Sequence, residues 1–207
     1  MRKTRAILLA LAILAAVPAI AGNGVPARME YGVEWGYTAT ILHDYHYNYV
    51  DSSDGFRVDE SATELLLRSN GLVDAYVGLD FLKHWSVSAN AGYAGIFQDR
   101  RFFPVGVRVS YFLSSYDDDG LYVSAERGSG FFIKSDNGRT SHTARLGCAY
   151  RYKLSRSVAM DFMLSARAVT DHPDVYSFNL GNKVDPMYVR RSNATYGSIN
   201  FTMSLSF

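Results

Sequence analysis

Five histidines, one cysteine and a serine-asparagine pair are the residues of this chain with the plainest capacity for chemistry. His43 and His46 flank Asp44 in a tyrosine-rich stretch that holds Tyr45, Tyr47 and Tyr49. Such groups hold a metal ion only if they converge, and alternation along an extended strand sends His43 and His46 to opposite faces. Solvated loop residues are therefore expected there, with no metal ion and no cofactor. His142 falls near the top of a strand, His172 opens a loop and His84 sits in a turn. Ser192-Asn193 offers a hydroxyl, but position 190 is Arg. A serine without a base within reach is a weak nucleophile. No catalytic residue is assigned, and the expectation is a protein that is not an enzyme.

A larger constellation appears once faces are assigned. Glu34, Asp74, Asp80, Glu126 and Asp161 alternate out of phase with apolar neighbours, and so do Arg108, Arg145, Arg151 and Arg167. From Met29, the residues Tyr31, Val33, Trp35, Tyr37, Ala39 and Ile41 share one face of a strand, while Glu30, Gly32, Glu34, Gly36, Thr38 and Thr40 share the other. The same pattern returns over 71–81, 85–93, 103–111, 121–126, 143–152, 158–167 and 196–207. Eight one-sided strands result. Short connections are expected at 82–84, 114–119 and 153–156, and long ones at 43–66, 95–102, 128–140 and 169–195. Tyr45, Tyr47 and Tyr49 continue the odd face of the first strand into a tall hairpin that turns at Asp51–Gly55. A second hairpin is expected around Gly181-Asn182-Lys183, and Asp136-Asn137-Gly138 is a tight-turn signal. Ten strands stay open, should one hairpin reach down beside the others.

The 207 residues are one domain's worth, with a formal charge of +1 that carries no nucleic-acid footprint. Residues 1–21 read as a signal peptide: Arg2, Lys3 and Arg5, an apolar run, then Ala19-Ile20-Ala21. Its removal leaves residues 22–207 with 21 − 3 = 18 basic against 20 acidic side chains. Cys148 is the single cysteine, so no intramolecular disulfide holds the domain. Closure of a sheet into a barrel would do so instead.

The last strand ends on an apolar-face Phe207, which resembles the terminal strand of bacterial outer-membrane barrels. With eight strands in phase, the chain over 29–207 is similar to the small OmpA- and OmpX-type barrels. That resemblance implies an all-β, eight-stranded antiparallel up-and-down transmembrane β-barrel, a monomer in the bacterial outer membrane. It implies lipid and lipopolysaccharide around the wall, and assembly machinery that takes the strand ending in Phe207. Trp85, Tyr111, Tyr150, Tyr152 and Phe207 would form the periplasmic aromatic girdle. The nine inward charges would pair into a polar network that plugs the interior, because eight strands leave room mainly for side chains. A small porin-like pore is a weaker reading, and a soluble periplasmic barrel is the alternative fold.

The role implied is structural or adhesive and resides in the loops. The first loop is acidic, with Asp44, Asp51, Asp54, Asp59, Glu60 and Glu64 against Arg57; the third is basic, with Arg127, Lys134 and Arg139 against Asp136. Tyr45, Tyr47 and Tyr49 could offer an exposed binding edge there. The alternative is a lipid A-modifying enzyme of deacylase or acyltransferase type. Lipid A deacylases of the PagL type carry a His-x-Ser-Asn stretch and a later Glu; here only Ser192-Asn193-Ala194 is similar, and no Glu follows Glu126. The palmitoyltransferase type pairs a loop His with Asp-Ser, whereas the second loop here has Asp99-Arg100.

Overall fold

The structure, a computed structural model, describes residues 27–51, 55–97, 100–133, 140–177 and 181–207. The expected signal peptide and the expected turn at Asp136-Asn137-Gly138 lie outside the described residues. So do Asp54, Lys134 and Arg139.

Eight strands follow in order: β1 (Ala27–Val50), β2 (Arg57–Phe81), β3 (Trp85–Phe97), β4 (Arg100–Phe112), β5 (Gly120–Phe132), β6 (Ser141–Lys153), β7 (Ala159–Asp171) and β8 (Val189–Ser206). Each pairs antiparallel with the next, and β8 returns to pair with β1, so the ring is closed. Partners traced once round from Tyr37, by way of Phe201, Leu164, Cys148, Val123, Tyr111, Trp85 and Phe81, lead back to Ala27. The circuit thus drops 37 − 27 = 10 residues along β1. A closed sheet of tilted strands requires such a stagger.

The period-two pattern sorts the side chains into an inside and an outside. Met29, Tyr31, Tyr37, Leu146 and Phe201 stand exposed on the outer wall. No second layer covers them among the described residues, and the one helical element there is the 3-10 turn Pro186–Tyr188. Contiguous apolar surface of this extent marks a face that meets something other than water. Trp85, Tyr111, Tyr150, Tyr152 and Phe207 gather on that wall near the short connections. Trp85 meets Tyr111 edge-on at 4.9 Å, and Phe207 stacks on Tyr31 at 5.8 Å. The backbones of Tyr31 and Phe207 also exchange two hydrogen bonds, at 3.2 and 2.8 Å.

Three expectations are corrected. Residues 43–66 are mostly strand rather than loop, because β1 and β2 run on as a paired ladder up to Val50 and Arg57. The connection expected over 95–102 shrinks to residues 98 and 99, since Ile96 and Phe102 turn inward and hold the ladder together. Arg127 belongs to β5, paired with Val107 and Ala144 on the outer wall, and not to the third loop. The second hairpin is small: Tyr176 bridges Lys183, and Val184 donates to the Val175 carbonyl at 2.9 Å.

The largest departure is in β1. Its pairing with both β2 and β8 shifts between Thr40 and Leu42. Ile41 is the extra residue against β8, where Thr40 faces Ser198 and Leu42 faces Gly197. A bulge of one residue reverses the phase of everything beyond it. Below it even-numbered residues point inward, as with Glu34 and Thr38; above it odd-numbered ones do, as with Tyr49. Tyr45, Tyr47 and Tyr49 therefore leave the outer face that strict alternation assigned to them.

Candidate functional site

The inward faces of all eight strands contribute to one ionic cluster. Glu34 on β1 lies 2.6 Å from Arg108 on β4 and 2.5 Å from Arg145 on β6. Glu126 on β5 takes the other side of Arg108 at 3.0 Å and stands 3.8 Å from Arg145. Arg145 also donates to Ser165 at 2.7 Å and to Thr202 at 3.1 Å. Arg167 on β7 sits between Asp74 and Glu126 at 3.6 and 3.8 Å. Each of these six charged residues is buried. Gly92 on β3 makes room beside Asp74, since a methyl group there would stand 2.5 Å from the Asp74 Cα.

A second group lies nearer the short connections. Arg151 reaches Glu30 at 2.6 Å and Asp161 at 2.8 Å, and its guanidinium lies 4.8 Å from the centre of the Phe112 ring. The Tyr122 hydroxyl donates to Asp161 at 3.2 Å and Ser204 does so at 3.3 Å. Asp80 differs from the other eight predicted residues. It is buried, its side-chain hydrogen bonds are with Glu30 and Ser86, and no ion pair joins it to an arginine among the described residues. Glu30 was missed in the sequence-derived set although its even position on β1, four before Glu34, carried the signal.

Apolar layers bound the Glu34–Arg145 cluster on both sides. Toward the long connections, Leu72, Ile96, Phe102, Phe132, Val169 and Tyr196 pack together across the barrel. Toward the short ones, Phe112, Tyr116, Tyr122 and Met163 form a second cluster. At the far rim, Arg100 pairs with the buried Asp171 and covers the Phe132 ring at 5.7 Å.

Above the rim stands the β1–β2 hairpin. Tyr45 packs on the upper apolar layer and donates to Glu60 at 3.1 Å. Tyr49 is buried against Val175 and Val184, with Tyr47 packed beside it. The acids of this stretch are engaged: Asp44 accepts from Thr63 at 2.7 Å, Asp59 meets His46 at 2.8 Å, and Asp51 accepts from Ser177 at 2.7 Å. Arg57 donates to Asn48 at 3.1 Å. The His46 contact holds the Asp59 carboxyl below the usual carboxylate range. On β2, the ladder to β3 begins only at Leu72, opposite Ala94. Residues 57–65, 68 and 69 are consequently paired on one side alone, with 66 and 67 in the register shift opposite Ile41, and Leu65 and Leu67 project from this edge, 78% and 86% exposed.

The histidines stay apart. His43 stacks on Tyr196 at 4.8 Å, His84 meets the Phe112 carbonyl at 3.0 Å, and His172 meets the Ser192 carbonyl at 2.8 Å. Ser192 itself donates to the Pro173 carbonyl. No group of three metal-binding side chains occurs among the described residues.

No protein-family model and no curated protein matches the chain. Among solved structures, neisserial surface protein A is similar over 88% of this chain and 99% of its own, with TM-score 0.44 and 11% identity. The outer membrane protease OmpT from Escherichia coli is similar over 86% and 96%, with TM-score 0.41 and 10% identity. The β-barrel of the InvG secretin domain from a Salmonella injectisome is similar over 93% and 66%, with TM-score 0.25 and 9% identity. These are likenesses of fold alone.

Proposed function

We propose that this closed eight-stranded barrel, of the OmpA and OmpX type in architecture, is a monomeric integral protein of the bacterial outer membrane, sealed to ions and active through its tall hairpin. The exposed apolar wall and the aromatic band at the short-turn end support the placement, with those turns in the periplasm and the hairpin outside. Lipid and lipopolysaccharide then surround the wall, and the assembly machinery takes the strand ending in Phe207. Support for a plugged interior comes from the arginine–carboxylate cluster held between two apolar layers. Planar bilayers that contain the barrel are expected to stay silent; regular single-channel steps would contradict the seal.

The observation that carries the binding role is the edge that β2 leaves open between residues 57 and 69. An unpaired edge presents a row of backbone donors and acceptors to a further strand. The partner is an extended polypeptide segment with apolar side chains at the positions that meet Leu65 and Leu67. Strand-forming peptides screened against the micelle-bound barrel should include binders that lose about tenfold or more in affinity when Leu65 and Leu67 are both changed to Lys. Binders indifferent to that exchange would remove the edge from the account.

A further inference from the structure

A strand added to β2 would meet a different surface on each of its two faces. Leu65 and Leu67 point outward, in line with Leu42 on β1. Glu60, Glu64 and Arg68 lie on the other face, the one turned over the barrel mouth, and all three are exposed. The ladder fixes that face: Glu60 stands opposite Tyr47 and Glu64 opposite His43, on the side to which Tyr45 and Tyr49 turn. Neither carboxylate meets a lysine or an arginine among the described residues. Glu60 accepts from Tyr45 at 3.1 Å, and Glu64 lies 3.7 Å from His43 with its side chain half exposed. Arg100, at the rim below, is held by Asp171. The register shift at 66 and 67 concerns the pairing with β1 only, because Leu66 is half-buried between two outward leucines and alternation along β2 is unbroken.

The strand that would fill this edge is β3, and it stops at Phe97. Counted up from Leu72 opposite Ala94, Phe97 comes level with Ser69. The edge is therefore open from Arg68 toward the hairpin tip, and the β3–β4 connection beside it has only residues 98 and 99. In an antiparallel ladder, residues directly opposite each other point to the same face. A strand laid on residues 60–68 thus turns one set of side chains to Leu65 and Leu67 and the alternate set to Glu60, Glu64 and Arg68. Those three charges recur every fourth residue, roughly 13 Å apart at the usual rise, in the order negative, negative, positive. Ala62, between the two carboxylates, is small and leaves room for the stems of long basic side chains.

We propose that the partner of this edge is a cationic amphipathic strand, seated antiparallel on residues 60–68. From its N-terminus it reads acidic, apolar, any, apolar, basic, three of any kind, basic. The acidic residue meets Arg68, the apolar pair meets Leu67 and Leu65, and the two basic residues meet Glu64 and Glu60. The inference rests on the edge pairing proposed above and deepens it by naming the chemistry of the partner. Backbone hydrogen bonds and the leucines supply most of the affinity. The charges supply choice and register: a strand with the same leucines but acidic residues at the basic positions sets like charges opposite Glu60 and Glu64. A slip by one residue turns its apolar side chains to the carboxylates, so the two faces enforce one alignment.

The test uses the full folded chain in micelles of a zwitterionic detergent, so that the micelle adds no charge. The probe is a labelled synthetic peptide, Asp-Leu-Thr-Leu-Lys-Thr-Thr-Thr-Lys, compared with versions in which both Lys are Gln or both are Glu. The Lys peptide should bind about fivefold or more tightly than the Gln peptide, and the Glu peptide should bind weakest. Added salt should narrow those differences. In a barrel with Glu60→Gln and Glu64→Gln, which keeps the heat-dependent gel shift, the Lys and Gln peptides should bind alike. A barrel with Glu60→Lys and Glu64→Lys should reverse the order and prefer the Glu peptide. Equal binding of the three peptides to the parent barrel, with Leu65 and Leu67 still required, would overturn the cationic partner and leave the open edge standing. Binding of none of them, or binding indifferent to Leu65→Lys with Leu67→Lys, would remove the edge itself, which keeps the two failures distinct.

Discussion

The two halves of β1 both alternate aromatic with polar residues, yet their orientations are opposite. From Met29 to Thr40 its aromatic residues, Tyr31, Trp35 and Tyr37, lie on the outer wall. From Leu42 to Val50, Tyr45 and Tyr49 are turned inward, onto the upper apolar layer and the 172–188 connection. The polar residues make the reverse exchange: Glu34 sits inside, whereas Asp44 is exposed. The shared alternation does not show where the orientation changes. What separates them is Ile41, one residue beyond the count that β8 requires. The halves also differ in what surrounds their charges. Glu34 has two arginines and no water-facing side, while Asp59 and His46 meet at the surface. The same kind of pair should therefore carry very different weight in the two places.

The strongest way to test that contrast is to remove an arginine from the lower half's cluster. Arg145→Met leaves Glu34 and Glu126 short of a partner in a closed interior. The expected cost is about 3–5 kcal/mol, read as a lower denaturant midpoint for the barrel in micelles. Adding Glu34→Gln should restore part of the loss, because it takes away the charge left behind. A single variant as stable as the parent would mean that water reaches the cluster freely.

Deletion of Ile41 alone would remove the bulge and keep the phase beyond it, whereas deletion of Ile41 and Leu42 together erases the difference between the halves. With both gone, His43 follows Thr40 at the outward position, so unbroken alternation turns Tyr49 outward and His46 inward. The upper half then gives up the contacts of Tyr49 with Val175 and Val184, at roughly 2–3 kcal/mol for the side chain exposed. Proteolysis should locate the loss in the hairpin and the 172–188 connection while the wall stays resistant. An unchanged digestion pattern would place the bulge among the incidental features of β1.

This is also where reading the sequence stops short. Strand number, closure and the inward placement of all nine charged residues follow from period-two alternation, which eight segments share. Turn signals located the short connections, because Lys83-His84 and the serines of 155–157 cannot extend an apolar face. A bulge leaves no such mark: Thr40-Ile41-Leu42 continues the apolar-polar count on either reading, and only the partners on β2 and β8 decide it. Pairing of Asp80 with an arginine failed for a similar reason, since face is legible from parity but depth depends on the ten-residue stagger. The contact of Ser129 with His142 on the outer wall, at 3.0 Å, is a register fact of the same sort. Read linearly, Ser129 belonged to a loop and His142 to a strand end; the β5–β6 ladder makes them neighbours.

The smallest effect belongs to the hairpin's own pair. The hydrogen bond from His46, aided weakly by Asn48 and Arg57, holds Asp59 below its ordinary value of 3.8. A carboxyl depressed on folding stabilises the folded form above that ordinary value, and the contribution drains away as pH falls through the lower, folded one. Hydrogen exchange of residues 44–63, referred to the amides of β5 and β6 at each pH, should thus lose protection in strongly acidic solution. Asp59→Asn should flatten that dependence and leave the wall unaffected. Because Asp59 is open to solvent, the change should remain local to the hairpin tip and fade with added salt. If it instead spread down β1 past Ile41, the bulge would not be insulating the two halves, and the hairpin and the barrel wall would have to be treated as one cooperative unit.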